Sequence, residues 1–111
     1  MYNQRDIVLI PFPYSDLTGI KQRPALIISN DRINRTEDKI CCLITSNEPK
    51  QGVLISPKHL EKGSLPFTSW VKPQRIFTFH ERVARKKLCT VTREFHDKIV
   101  SELNEFLKTE S

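Results

Sequence analysis

The chain has 111 residues, a formal net charge of +5 at pH 7 and a sequence pI of about 9.3. This length suits one compact domain, which we expect to span residues 1–111, and a content of 38% hydrophobic and 28% charged residues is ordinary for a soluble protein. The opening residues lack the apolar core of a signal peptide and no segment approaches membrane-spanning length, so we expect a cytoplasmic protein without a membrane partner. The basic balance favours a polyanionic partner without identifying it.

The first predicted elements are two short strands joined by a loop. Residues 7–10 form a β-branched and leucine run that Pro11 and Pro13 are expected to stop, because proline lacks a backbone donor. A second apolar run, residues 25–28, begins after Pro24. The sequence therefore predicts two strands on either side of a surface connection.

The loop between these strands presents two cations at its exit. Residues 14–19, YSDLTG, have the composition of a turn, and Lys21 and Arg23 follow them, with Pro24 stiffening the backbone beside Arg23. The planar guanidinium of Arg23 matches two phosphate oxygens at once. The alternative interpretation is that Arg23 forms a surface ion pair or is merely solvated.

The middle of the chain is predicted to add one helical turn and two more strands. The turn lies at residues 31–35 and the strands at 40–45 and 53–55, followed by a loop at 56–66. Thr45 lies where the third strand meets a turn, and its hydroxyl can either donate to a phosphate oxygen or accept from a backbone donor of that turn. Both roles stay open.

The three cysteines are predicted to be buried free thiols. Their count is odd, and adjacent residues on a strand point to opposite faces, so Cys41 and Cys42 are not expected to pair with each other. Cys89 lies far along the chain, and no CxxC spacing or His/Cys cluster indicates zinc. We expect no metal and no cofactor.

Further short strands are predicted at residues 69–71 and 75–80, interrupted by Pro73. Many short strands separated by proline and glycine turns indicate a mainly β protein, a small antiparallel barrel or sandwich. Cations and aromatic rings lie together in this region, a mixture that suits nucleic acid. The residues concerned are Lys72, Arg75, Arg82, Arg85, Lys86 and Lys87 beside Trp70, Phe77 and Phe79.

Two features of this region also have ordinary structural explanations. Phe77 and Phe79 share one strand face and can simply belong to the core, which would leave the cations as a solvated rim. His80 lies at a strand end and can titrate near neutrality, but lone histidines are more often structural or solvated.

The last element is predicted to be an amphipathic helix. Thr92 can cap its N-terminus, and apolar residues recur at helical spacing at positions 95, 99, 103, 106 and 107. We expect this helix to pack on the barrel.

Two stretches resemble the MazF/PemK family of type II toxin–antitoxin endoribonucleases. The signature of that family is a GDIV-type strand, a loop, and K-x-RP before an apolar strand, matched here by residues 6–8, by Lys21 to Pro24 and by residues 25–29. Arg5 stands where the family often has glycine. The second stretch, Leu43-Ile44-Thr45-Ser46, matches the strand end that carries the family's catalytic threonine or serine.

The resemblance implies an SH3-like barrel with a C-terminal helix, and metal-independent, sequence-specific cleavage of single-stranded RNA, with mRNA as the expected substrate. The products would be a 2′,3′-cyclic phosphate and a 5′-hydroxyl. It also implies a homodimer with RNA across the subunit interface, and a cognate antitoxin that covers the same groove. Arg23 and Thr45 are the expected catalytic residues, and the expected substrate-binding residues are Tyr14, Asp16, Lys21, Ser46, Lys72, Arg75 and His80.

Some features limit what the resemblance implies. Asp16 can contact RNA or only stabilise its turn. Certain family members carry an acidic residue in the later strand, where Thr78 and Phe79 stand here, so we do not expect a carboxylate acid or base from that strand.

A second hypothesis is a non-cleaving barrel toxin, or a nucleic-acid-binding module, that acts on a protein target such as gyrase. The gyrase-poisoning CcdB toxins are similar in fold and act through an apolar C-terminal tip, whereas this sequence ends Thr109-Glu110-Ser111. The joint presence of Arg23 and Thr45 favours the cleaving enzyme.

Overall fold

The computed structural model describes residues 2–13 and 20–111. Within them, seven antiparallel strands form one sheet in the order β4-β6-β3-β2-β1-β7-β5, curled into a nearly closed barrel, with a helix at the C-terminal end. This confirms the predicted mainly β barrel. The strands are β1 (Asp6–Pro13), β2 (Ile20–Ile27), β3 (Asp38–Thr45), β4 (Val53–Ile55), β5 (Leu60–Gly63), β6 (Ser69–His80) and β7 (Lys86–Val91), and the helices are α1 (Asp31–Asn34) and α2 (Arg93–Phe106).

Both faces of the sheet are apolar, because alternate residues of each central strand pack into different clusters. Ile7 belongs to a cluster that includes Phe95 and Ile99 of α2, whereas Val8 belongs to a second cluster with Phe79. Each central strand therefore supplies residues to two cores. This explains the near-continuous hydrophobic runs in β1 and β3 and at the end of β2, residues 25–27.

The cysteines follow the same alternation. Cys41 packs in the second cluster and Cys42 in the first, and all three cysteines are free and buried, as predicted. Burial raises the pKa of Cys42 to about 12 and that of Cys89 to about 11, and raises the pKa of Cys41 further. None of these thiols carries appreciable thiolate at neutral pH.

The prediction that Pro11 stops the first strand and that the second begins after Pro24 was wrong, because β1 continues through Pro11 and ends at Pro13, and β2 begins at Ile20 and runs through Pro24. The register pairs Leu9 with Pro24 and Pro11 with Gln22, so the prolines occupy alternate positions of one ladder. Proline has no N–H, so these are the pairs that exchange no backbone bonds. The strands on the opposite edges do not need a backbone N–H from these prolines either. β7 pairs with β1 only as far as Leu9, and β3 pairs with β2 only from Ala25 onward.

Pro73 does not end a strand either, because β6 is continuous from Ser69 to His80. The β3–β6 register shifts at this point, pairing Leu43 with Lys72 and Cys42 with Ile76, so residues 73–75 have no partners on β3. A bulge accommodates the missing N–H of proline and bends the strand. Pro73 therefore marks a bend within one strand and not a break between two strands.

Two strands were not predicted. Residues 60–63 were expected to be loop but form β5. β7 begins with two exposed lysines, Lys86 and Lys87, and ends with three consecutive buried residues, 89–91, so it lacks the alternating pattern that indicates a strand. β5 pairs with β7, and β7 with β1. These pairings extend the sheet from its centre towards closure of the barrel.

Arg5, which precedes β1, has a positive φ of 81°. This left-handed conformation costs a residue with a side chain about 1 kcal/mol or more. The side chain of Arg5 offsets that cost, because its guanidinium donates to the Glu61 carboxylate (3.1 Å) and to the Val91 carbonyl (3.0 Å). Its backbone carbonyl accepts from the Val91 N–H (2.9 Å).

Lys39 is a fully buried cation at the start of β3. Its ammonium donates to the carbonyl oxygens of Asn34 (2.9 Å) and Thr36 (3.1 Å) and lies 3.5 Å from a carboxylate oxygen of Glu81. It thus ties the end of α1 to the segment that follows β6.

Helix α2 begins as predicted, with the Thr92 hydroxyl accepting from the Phe95 N–H (3.2 Å). The ring of His59 stacks on Phe95 with centroids 4.5 Å apart, and its Nδ1 accepts from the Ser56 N–H (3.0 Å). Among the described residues, no helix is long and apolar enough to cross a membrane.

Candidate active site

A cavity of about 430 Å³ opens where the C-terminal end of β3 meets the middle of β2. Strand pairing explains the position. β2 and β3 pair Leu26 with Cys42 and Ala25 with Leu43, and continuing this antiparallel register by two residues aligns Arg23 with Thr45. Both residues line the cavity.

The described lining of this cavity is cationic. Lys21 and Arg23 approach from β2 and Lys86 from β7, and no carboxylate is among the lining residues that the structure describes. Arg23 is half-buried, whereas Lys21 and Lys86 are exposed. Three positive charges around a partly enclosed space favour an anionic ligand such as a phosphodiester.

Thr45 is only 7% exposed, and its hydroxyl takes part in the turn that follows β3. It accepts from the Asn47 N–H at 3.1 Å and donates to the Asn47 carbonyl at 3.4 Å. The turn-stabilising role anticipated from the sequence is therefore present. The 3.4 Å bond is long, so the hydroxyl proton can be redirected to an incoming oxygen at small cost.

The other residues predicted for the site divide into three sets. Lys21 and Ser46 line the same cavity as Arg23 and Thr45. Tyr14 and Asp16 lie outside the described residues. Lys72 and Arg75 lie on β6, where the bulge separates them, and neither lines the cavity.

His80 is at the far end of the β3–β6 ladder. It pairs with Asp38, whereas Thr45 pairs with Trp70, a separation of roughly 23 Å along β3 at about 3.3 Å per residue. Its Nε2 lies 3.2 Å from the Glu37 carboxylate, and its Nδ1 accepts from the Arg82 N–H (3.1 Å). These contacts give His80 a local structural role.

Asn47, Phe67 and Lys86 are among the lining residues that were not predicted for the site. Lys86 was noted only as one of a group of cations, and its position became clear only with β7. Phe67 lies between the predicted loop at 56–66 and the predicted strand at 69–71 and was assigned to neither. Among residues 2–13 and 20–111, no three His, Cys, Asp or Glu side chains are grouped to hold a metal ion.

The sequence matches the model of a known protein family. A model of the family described as "PemK-like, MazF-like toxin of type II toxin-antitoxin system" matches residues 3–107. No curated protein sequence matches the chain significantly.

Solved structures share the fold. An endoribonuclease in complex with its cognate antitoxin, from a mycobacterial species, has a TM-score of 0.71 and 20% identity, covering 99% of this chain and 100% of that chain. MazE–MazF from Deinococcus radiodurans has a TM-score of 0.77 and 18% identity, covering 98% and 97%. The Mycobacterium tuberculosis toxin MazF-mt6 has a TM-score of 0.73 and 14% identity, covering 96% and 100%.

Proposed function

This chain belongs to the PemK-like, MazF-like family of type II toxin–antitoxin toxins, and on that premise we propose that it is the toxin of such a pair. In this proposal residues 1–111 form a single toxin domain that cuts single-stranded RNA at specific sequences without a metal ion. The natural substrate is mRNA, and the site of action is the cytoplasm.

One observation carries the proposal: Arg23 and Thr45, which are distant in sequence, line the same cationic cavity. A guanidinium supplies two parallel donors to phosphate oxygens, and a nearby hydroxyl supplies a third. A module that only binds a protein surface does not need this combination.

The chemistry that suits these groups is transesterification. The ribose 2′-hydroxyl loses its proton as its oxygen attacks the adjacent phosphorus, the bond from phosphorus to the 5′-oxygen breaks, and that oxygen takes up a proton, which gives a 2′,3′-cyclic phosphate and a 5′-hydroxyl. Negative charge grows on the non-bridging oxygens as the bond forms, so fixed donors lower the barrier most effectively there. Arg23 stabilises that charge, and Thr45 donates to a phosphate oxygen or orients the attacking hydroxyl.

The remaining cations act at longer range. Lys21 and Lys86 raise the local potential and hold the phosphates that flank the cut, while Ser46 contacts the backbone of the RNA. Lys72 and Arg75 lie farther along β6 and extend the basic surface to neighbouring nucleotides. His80 is not given a part in the reaction, because its contacts lie at the opposite end of the strand pair.

The proposal includes two protein partners. The chain forms a homodimer, and a cognate antitoxin with an acidic segment competes with RNA for the same cations. The structural likeness to an endoribonuclease that was solved with its cognate antitoxin supports an antitoxin partner.

The test is cleavage of a long unstructured RNA in excess EDTA, with new ends mapped by primer extension. Discrete cuts are expected from the wild-type protein and none from Arg23→Ala, because that variant loses the main charge that stabilises the transition state. Arg35→Ala is the matched control, since Arg35 is an exposed arginine at the far end of β3 from the cavity. Circular dichroism and light scattering verify that all variants are folded and equally associated.

The same experiment distinguishes the ribonuclease from the alternative, a non-cleaving toxin. A folded wild-type protein that cuts none of several varied RNAs in EDTA contradicts the proposal and favours a non-cleaving toxin. Unchanged cleavage by Arg23→Ala contradicts the assignment of the site.

A further inference from the structure

Phe67 is the most exposed large apolar side chain among the described residues, with 73% of its surface accessible. It lines the cavity that contains Arg23 and Thr45. A phenylalanine side chain left in water forgoes the burial that usually stabilises such a residue. An aromatic ring in this position, beside a cationic cavity, is suited to a ligand with a flat apolar face.

The loop that presents Phe67 is held in place. The hydroxyl of Ser69, which is buried, donates to the Phe67 carbonyl at 2.8 Å. Ser69 is the first residue of β6 and pairs with Ile55 of β4, while Pro66 restricts the backbone just before the ring. The ring therefore projects from a supported position, which reduces the entropy lost when a ligand binds.

Phe67 lines two cavities of different chemistry, as do its neighbours Leu65 and Pro66. The second cavity, of about 630 Å³, is also lined by the apolar residues Leu54 and Pro57 and by Ser64 and Thr68. No charged side chain is among the described residues that line it, in contrast to the three cations of the first cavity. A phosphate fits the first environment, and an uncharged base fits the second.

We propose that Phe67 stacks on a base next to the cut phosphate and directs that base towards the second cavity, which makes Phe67 a specificity-determining residue. The inference rests on the proposed function, because it takes the cavity of Arg23 and Thr45 as the phosphate site. Aromatic rings stack on unpaired bases in single-stranded RNA, and the base is splayed from its neighbours as it does so. Selection for single strands follows, because a paired base cannot reach the ring.

The test compares Phe67→Ala, Phe67→Leu and Phe67→Trp on a short RNA that contains one mapped cut. We expect Phe67→Ala to lower kcat/KM by about ten- to a hundred-fold, the effect of losing one stacked base. Phe67→Leu keeps apolar volume without an aromatic face and should be impaired, whereas Phe67→Trp should retain activity. Phe106→Ala is the control, since Phe106 is another exposed phenylalanine and lines neither cavity.

A second measurement identifies the base. An abasic nucleotide is placed at each position flanking the cut, one at a time. At one position the abasic RNA should lower wild-type kcat/KM as much as Phe67→Ala does, and combining the two changes should cause no further loss. A residue that only supports the loop would give independent, multiplying effects.

The outcomes distinguish this inference from the proposed function. If the wild-type protein cuts RNA and Phe67→Ala cuts equally well, or the combined losses multiply at every position, the stacking role is wrong and the ribonuclease assignment stands. If Phe67→Ala is inactive and light scattering shows that it no longer self-associates, Phe67 belongs to an interface between copies of the chain. That result also overturns the inference. If the wild-type protein cuts no RNA, both proposals fail.

Discussion

Replacing Thr45 with valine separates the two roles of its hydroxyl, because valine has nearly the same shape and cannot form hydrogen bonds. In the turn, the change removes the acceptor for the Asn47 N–H at 3.1 Å and the long 3.4 Å bond to the Asn47 carbonyl. One net hydrogen bond is worth about 1 kcal/mol, and Asn47 is exposed, so water can solvate its freed N–H. We expect the free energy of unfolding to fall by about 1 kcal/mol.

The expected effect on catalysis is much larger. Removing one donor to a developing oxyanion lowers kcat by about 10²–10³, which corresponds to roughly 3–4 kcal/mol of activation free energy. Thr45→Ser keeps the hydroxyl and should retain kcat within about ten-fold of the wild-type value. Both quantities are measured on the same preparations, stability by urea denaturation and kcat by single-turnover cleavage of a short fluorescent RNA.

The reasoning is refuted if Thr45→Val loses about 1 kcal/mol of stability but keeps kcat within about three-fold of the wild-type value. That result would leave Thr45 as a turn residue only, with Arg23 and the lysines as the phosphate-binding groups.

Two further changes test the packing around the barrel. Lys39→Met should lower the free energy of unfolding by about 1–3 kcal/mol, because the carbonyls of Asn34 and Thr36 lose their donor, whereas the carboxylate of Glu81, whose side chain is 34% exposed, can be solvated by water; an unchanged midpoint in urea denaturation would show that this contact contributes little. His59 is held neutral, since burial first, then the charges of Lys58 and Lys98, lower its pKa below the usual 6.5. The unfolded chain then binds more protons than the folded one below pH 6.5, so this contribution to stability is full above pH 6.5 and is lost as the pH falls below it. His59→Asn, which keeps an acceptor for the Ser56 N–H, should show a smaller drop in melting temperature between pH 7 and pH 5 than the wild-type protein, and an equal drop would contradict the role of His59.

The sequence predicted the elements whose signals are local. The Thr92 cap and the buried Phe95 and Ile99 of α2, the opposite faces of Cys41 and Cys42, and the apolar runs of β1, β2 and β3 follow from patterns within a few residues. The later apolar residues of the helical pattern, Phe106 and Leu107, are exposed, contrary to the expected packing on the barrel. The prolines led to wrong predictions of strand boundaries, because the effect of a proline depends on whether a neighbouring strand needs the N–H that it lacks. That information lies in the register, which involves residues distant in the sequence.

The residues that line the candidate site were predicted only in part, because the fold brings together residues that are distant in the sequence. The resemblance indicated Arg23 and Thr45 separately, and they come together because they lie just beyond the last β2–β3 pair, Ala25 with Leu43, and line the same cavity. Lys86 and Phe67 reach the cavity from β7 and from the loop before β6. Neither residue has a local pattern that separates it from an ordinary surface lysine or loop phenylalanine.

The most direct test of the proposed chemistry uses a short RNA that contains one mapped cut, beside the same RNA with a single 2′-deoxy nucleotide on the 5′ side of the cut. Both are incubated with the protein in EDTA, and the products are weighed by mass spectrometry. We predict a 2′,3′-cyclic phosphate and a 5′-hydroxyl from the first RNA and no cleavage of the second, because the second lacks the attacking hydroxyl. Cleavage of the deoxy-substituted RNA, or products that carry a 5′-phosphate, would contradict transesterification at the Arg23 and Thr45 cavity.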